Sequence, residues 1–95
     1  MIKSFGDKNT ERLFHRNYVK KFPSIIIRSA YRKLLIIDAA SCIDDLRIPP
    51  GNRLEKLTGN LSKFYSIRVN NQWRIIFKWK QNDAYEIQLI DYHKG

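Results

Sequence analysis

The stretch EIQLIDYHKG sets a carboxylate, a phenol and an imidazole side by side: Asp91, Tyr92 and His93 follow an alternating run. An imidazole titrates near neutrality and can donate or accept a proton. A phenol can hydrogen-bond a phosphate or stack on a base. Upstream, Arg68 and Arg74 have the same parity as Tyr92, which places all three on one face of a sheet. Arginine meets a phosphate with a planar fork of donors. These are the groups that a ribonuclease needs when it works without a metal. The largest catalytic contribution would be charge stabilisation of a phosphorane-like transition state.

Other chemistries find no support. Cys42 is the single cysteine, so neither an internal disulfide nor a multi-cysteine zinc site can form. His15 and His93 are far apart, and no carboxylates join them at metal-ligand spacing. The glycines, Gly6, Gly51, Gly59 and Gly95, are scattered and build no phosphate loop. No serine or cysteine lies in a nucleophile motif. Neither metal nor cofactor is expected. His15, beside Phe14 in a helical pattern, reads as a packing or surface residue.

The elements that must position the chemistry follow from periodicity. A short strand is expected at 2–5 and a helix at 8–19, with Asp7 as N-cap and Leu13 and Phe14 on its apolar side. Pro23 suits a helix start. A second helix is expected at 24–40, its apolar stripe running through Ile27, Tyr31, Leu34 and Leu35. Ser41-Cys42-Ile43-Asp44 resembles a capping box that starts a short turn reaching Leu46, and IPPGN then breaks helical structure. FYSIRVN, QWRIIFKW and AYEIQLIDYH read as strands, joined by tight polar turns at Asn70-Asn71 and Gln81-Asn82-Asp83. The expected fold is one α+β domain over 1–95 of order β-α-α-β-β-β, with two N-terminal helices on one face of a small antiparallel sheet.

Strand parity divides that sheet. Odd positions, including Tyr65, Ile67, Trp73, Ile75, Phe77, Tyr85, Ile87 and Leu89, form the core face. Even positions form a mixed, basic face carrying Arg68, Arg74 and Tyr92. The plain alternative is a wetted face whose arginines are solvated or paired with Glu86.

Eighteen basic residues against nine acidic give 95 residues a net charge of +9. Such a field attracts polyanions, nucleic acid foremost. The N-terminus has no uninterrupted apolar segment of signal-peptide type, and runs such as 34–37 are far too short to span a bilayer. A cytoplasmic protein with no membrane partner is expected.

RLEKLTGNLSKFYSIRVNNQWRIIFKW followed by AYEIQLIDYH resembles the HigB toxins of the RelE/ParE superfamily. Its most specific parts are Ser66-Ile67-Arg68-Val69, Gln72-Trp73-Arg74-Ile75 and Asp91-Tyr92-His93, and the opening MIKSF also fits. The resemblance covers nearly the whole chain. It implies a microbial-ribonuclease-like, RelE-like fold and a toxin of a type II toxin–antitoxin module that cuts mRNA in the A site of the 70S ribosome. It also implies a HigA-like helix-turn-helix antitoxin as partner, and contact with operator DNA only through that antitoxin.

By the same resemblance, Tyr92 and His93 are the residues most tied to cleavage, Asp91 orients them, and Arg74 holds the scissile phosphate. Some members carry a histidine and a lysine where Glu55 and Thr58 stand here. Arg53 or Lys56 then supplies the charge, or Glu55 acts as a base, or the chain cuts more slowly. Arg68 assists at the phosphate. Lys20, Lys21, Arg28, Arg32 and Lys33 form a helical basic set for docking on ribosomal RNA. Three alternatives stand beside this reading: a ParE-like inhibitor of DNA gyrase with the same fold, an RNA-binding module without catalysis, and a decayed toxin kept as a partner for its antitoxin.

Overall fold

The computed structural model describes residues 1–92; His93 lies outside the described residues. Its elements are α1 (Lys8–Phe14), α2 (Ser24–Ala39), β1 (Glu55–Lys56), β2 (Tyr65–Arg68), β3 (Trp73–Lys80) and β4 (Asp83–Asp91), with short 3-10 turns between α2 and β2. The strands form one antiparallel sheet in the order β1-β2-β3-β4. The α+β architecture expected from the sequence is the one observed.

Helix α1 starts where expected. The Asp7 carboxylate accepts from the Thr10 N–H at 2.7 Å, a side-chain cap on an orphan donor. It stops five residues earlier than the expected 19, because the chain turns at Arg16, which has φ 65°. Helix α2 buries Ile26, Ala30, Leu34 and Ile37. The apolar stripe is thus displaced by one residue from the expected Ile27 and Tyr31, which stay half-buried beside it. The buried stripe packs with Leu13 and Leu46 against Ile67, Ile75, Phe77, Ile87 and Leu89 of the sheet. Each of the leucine, isoleucine and phenylalanine side chains contributes roughly 1.5–3 kcal/mol of burial, and Ala30 less.

After α2, the Asp45 carboxylate accepts from the N–H groups of Ser41 and Cys42. The cap is therefore closed by Asp45, one residue beyond the expected box, at the head of the 3-10 turn Ile43–Arg47.

The expected strand at 2–5 is instead two isolated parallel bridges, Ile2 to Ala84 and Phe5 to Ile87. The segment lies along the open edge of β4, where the Lys3 and Gly6 N–H groups donate to the carbonyls of Ala84 and Ile87 at 2.8 Å each. The Thr10 Oγ1, fully buried, accepts from the Leu89 N–H. That cover satisfies an edge which would otherwise template pairing with another chain.

Parity holds for β2 and β3 and breaks in β4. The register shifts between Ile76 and Lys78, and Glu86 adopts φ 52°. Such a bulge moves every side chain beyond it to the other face. Ala84, opposite Trp79, is fully buried, whereas Tyr85, opposite Lys78, lies with its ring under the Lys80 ammonium. Tyr85 is therefore not a core residue.

Candidate active site

Arg74 sits at the centre of the even face of the sheet, and only 9% of its surface is exposed. Its Nε donates to the Ser66 hydroxyl at 2.9 Å, and one Nη donates to the Arg53 carbonyl at 2.8 Å. The Glu55 carboxylate lies 3.5 Å from the same Nη, and the guanidinium carbon is 5.6 Å from the centre of the Tyr92 ring. Burial lowers the Arg74 pKa from its ordinary value; Glu55 and Tyr92 oppose this, while Arg68 and Arg53 add to it. An arginine keeps its charge even so. Arg74 is thus a fixed cation, not a solvated one, and Glu86 is engaged elsewhere, by Lys78 at 2.8 Å.

Sheet pairing explains how these groups meet. Arg68 and Arg74 are direct cross-strand partners. Like charges facing one another across a ladder repel. Arg68 turns toward the β2–β3 connection and donates to the Asn71 side chain. That connection is held by Asn70, whose side-chain oxygen accepts from the N–H groups of Gln72 and Trp73 at 2.8 Å each. Arg53, Arg68, Asn70, Asn71, Arg74 and Tyr92 enclose an open hollow of about 360 Å³. A second hollow of about 250 Å³ is lined by Glu55, Lys56, Thr58, Leu61 and again Tyr92. The Tyr92 ring is therefore a wall common to both.

Two supports were not anticipated from the sequence. One is Ser66, fully buried beneath Arg74. The other is Asn52, also fully buried, whose amide donates to the carbonyls of Leu46 and Ile48 and whose oxygen accepts from the Lys33 ammonium. Asn52 precedes Arg53, which adopts a left-handed conformation with φ 45° and aims its carbonyl at Arg74. Strand parity points to Ser66, but nothing in IPPGN distinguishes Asn52 from an exposed loop residue.

The remaining expected residues divide. Glu55, Arg53, Lys56 and Arg68 gather around Arg74 and Tyr92. Asp91 lies on the neighbouring edge, where its carboxylate accepts from the Gln72 side chain at 3.0 Å. His93 falls outside the described residues. Lys20, Lys21, Arg28 and Arg32 are exposed on the helical side. Lys33 is not free among them: it is tied to Asn52, and burial, with Arg32 adding to it, lowers its pKa. Among the described residues, no group of three or more histidines, cysteines and carboxylates gathers to hold a metal ion.

A family model described as the RelE-like toxin of type II toxin–antitoxin system HigB matches residues 3–93. The chain belongs to this family of HigB-like toxins. It is 46% identical over 95 residues to Toxin HigB-1 of Vibrio cholerae serotype O1, covering 99% of each chain. It is 33% identical over 93 residues to Endoribonuclease HigB of Proteus vulgaris, covering 98% of this chain and 100% of that one. Its fold matches a YoeB–YefM toxin–antitoxin complex from Staphylococcus aureus with a TM-score of 0.62 at 19% identity, over 98% of both chains. The protein is therefore a toxin of a type II toxin–antitoxin system, with an antitoxin as its partner. No helix among the described residues is long and apolar enough to cross a membrane.

Proposed function

We propose that the toxin is an endoribonuclease that cuts mRNA in the ribosomal A site and so blocks translation. One observation carries this reading: three arginines, two of them facing across a ladder, surround a hollow walled by a tyrosine. Cations held in mutual repulsion gain when an anion enters, and a phosphodiester is the anion that their fork geometry suits. The relative from Proteus vulgaris, named an endoribonuclease, supports the same class of reaction.

In this mechanism Arg74 grips the scissile phosphate, with Arg53 and Arg68 beside it. The substrate's 2′-oxygen attacks phosphorus, the bond to the 5′-oxygen breaks, and a cyclic phosphate remains. Glu55 or His93 takes the 2′ proton or returns one to the leaving oxygen. Tyr92 separates the phosphate hollow from the second hollow, where the adjacent nucleoside stacks on its ring. Asp91, held by Gln72, orients the strand end that leads into Tyr92. The ribosome supplies the ordered mRNA that so shallow a cleft does not hold alone, and the exposed Lys20, Lys21, Arg28 and Arg32 meet ribosomal phosphates. The antitoxin is of the HigA-like, helix-turn-helix kind, and only through it does the toxin reach operator DNA.

The test is mRNA cleavage in a reconstituted translation reaction, with and without ribosomes, for wild type, Tyr92→Phe and His93→Ala. Cutting that needs ribosomes and is lost in both variants supports the proposal. No cutting by wild type refutes it. Cutting of an RNA that lacks the 2′-hydroxyl at the cleaved site refutes the attack by that group.

A further inference from the structure

The helical side carries a second surface that shares no lining residue with the arginine cleft. After Arg16 turns the chain, the segment to α2 is pinned by buried Val19 and Phe22, the latter edge-on to Trp73 at 5.8 Å. Tyr18, immediately before the first of these anchors, is 84% exposed. It stands between two hollows of about 490 and 550 Å³, which have Asn17, Tyr18, Ser24 and Ile27 in common. Leu13 and Tyr31 complete the apolar wall of the first, and Phe22 and Pro23 that of the second. One residue beyond Ser24 on α2, Ile25 lines neither hollow but is 87% exposed next to their rim. A large aromatic side chain held in water between apolar hollows, with a large aliphatic one exposed a residue from their rim, marks a binding surface, and tyrosine is among the commonest energetic anchors of one.

The charge around this groove is one-sided. Between Glu11 and Asp38 the chain has seven lysines and arginines and no carboxylate. Arg16 and Arg28 border the first hollow and Lys20 the second. The Arg16 guanidinium is 5.1 Å from the centre of the Tyr31 ring, so cation and apolar wall are one continuous surface. A second copy of this chain would set these cations against themselves. A nucleic-acid backbone would neutralise them but leave the apolar hollows unfilled. A peptide that combines carboxylates with apolar side chains satisfies both features.

We propose that this groove is the antitoxin's docking site, filled by an acidic amphipathic segment whose apolar side chains flank Tyr18 and whose carboxylates pair with Arg16, Arg28 and Lys20, so that the bound antitoxin withholds Arg28 and Lys20 from ribosomal phosphates. The assignment rests on the toxin–antitoxin reading and adds to it the surface and the chemistry of the partner's segment.

The test uses the full-length toxin and its purified cognate antitoxin. Binding is measured by titration calorimetry for wild type, the double variant Tyr18→Ser/Ile25→Ser, and Arg16→Glu; mRNA cleavage in the translation reaction is measured in parallel. Loss of two exposed anchors should weaken antitoxin binding roughly 100-fold, with cleavage close to wild type. Charge reversal at Arg16 should weaken it roughly tenfold at low salt and less at high salt. Benzoylphenylalanine in place of Tyr18 should crosslink to the antitoxin on irradiation, a readout independent of any fold change. Antitoxin affinities within threefold of wild type, with no crosslink, would overturn the proposal. So would a double variant that keeps antitoxin affinity but loses ribosome-dependent cleavage, since the groove would then meet ribosomal RNA. If wild type binds the antitoxin through this groove yet cuts no mRNA, the docking site stands and the nuclease reading alone fails.

Discussion

The guanidinium of Arg74 donates to the backbone carbonyl of Arg53 at 2.8 Å, and Arg53 holds a left-handed conformation with φ 45°. A cation at the centre of the cleft is thus aimed by a strained position in a loop, and that loop is fixed from below by Asn52. Strained positions persist only where their surroundings enforce them. Here the enforcement runs from Lys33 on α2, through Asn52 and the Arg53 carbonyl, to Arg74, and Ser66 holds the other side of the guanidinium.

Arg74→Lys separates charge from geometry. A lysine keeps the cation but cannot donate at once to Ser66, to the Arg53 carbonyl and to a phosphate. Cleavage in the translation reaction should fall roughly 100-fold or more, the usual loss when an oriented transition-state donor is removed. Circular dichroism should show the fold retained. Activity within threefold of wild type would mean that Arg74 supplies only charge.

Asn52→Ala should be costly for a loop residue. It strands the carbonyls of Leu46 and Ile48 and removes the partner of the Lys33 ammonium. Leaving such buried groups unpaired should cost about 3 kcal/mol in denaturant unfolding. Cleavage should fall as well at temperatures where the variant remains folded, since the Arg53 carbonyl is no longer held. A loss of stability with full activity would show that Arg74 needs no aim from this loop.

The site was legible in the sequence where strand parity ruled. Arg68, Arg74 and Tyr92 share a face because β2, β3 and the end of β4 keep their alternation. Parity failed at Tyr85, because a glutamate with positive φ gives no signal of a bulge. The buried stripe of α2 was misplaced by one residue for a simple reason: Ile25, Ile26 and Ile27 are all apolar, so periodicity alone cannot choose among them. The Glu55–Lys56 strand went unseen because two charged residues carry no strand pattern, yet its pairing with β2 helps to bring Glu55 to Arg74. Asn52 stayed hidden because its role depends on Lys33, nineteen residues away.

Asp45 gives a pH-dependent prediction. The N–H groups of Ser41 and Cys42, with the Cys42 side chain adding to them, lower its pKa below the ordinary value. A carboxyl with a depressed folded-state pKa stabilises the fold above its unfolded pKa, and that stability is lost as pH falls through the folded value. Asp45→Ala should therefore melt below wild type at pH 7. The gap should narrow as pH drops below about 4 and close in stronger acid. A gap that stays constant from neutral to acid pH would mean that the carboxylate's charge is not what caps the turn.

Arg53→Gly tests whether the backbone and the side chain at this position do separable work. Glycine accepts the left-handed conformation without strain, though it also loosens the unfolded chain. Stability should stay within about 1 kcal/mol of wild type. The carbonyl that holds Arg74 is kept, so the chemical step should change little. What is lost is one cation from the phosphate hollow. RNA affinity should fall, and the slope of log affinity against log salt should become shallower by about 0.7, the value for one phosphate contact on a single strand. In cleavage kinetics the change should appear in KM rather than in kcat, because a contact made equally in ground and transition states alters binding alone. A fall in kcat at unchanged KM would instead place the Arg53 side chain on the phosphate as charge develops, and make it a second transition-state donor beside Arg74.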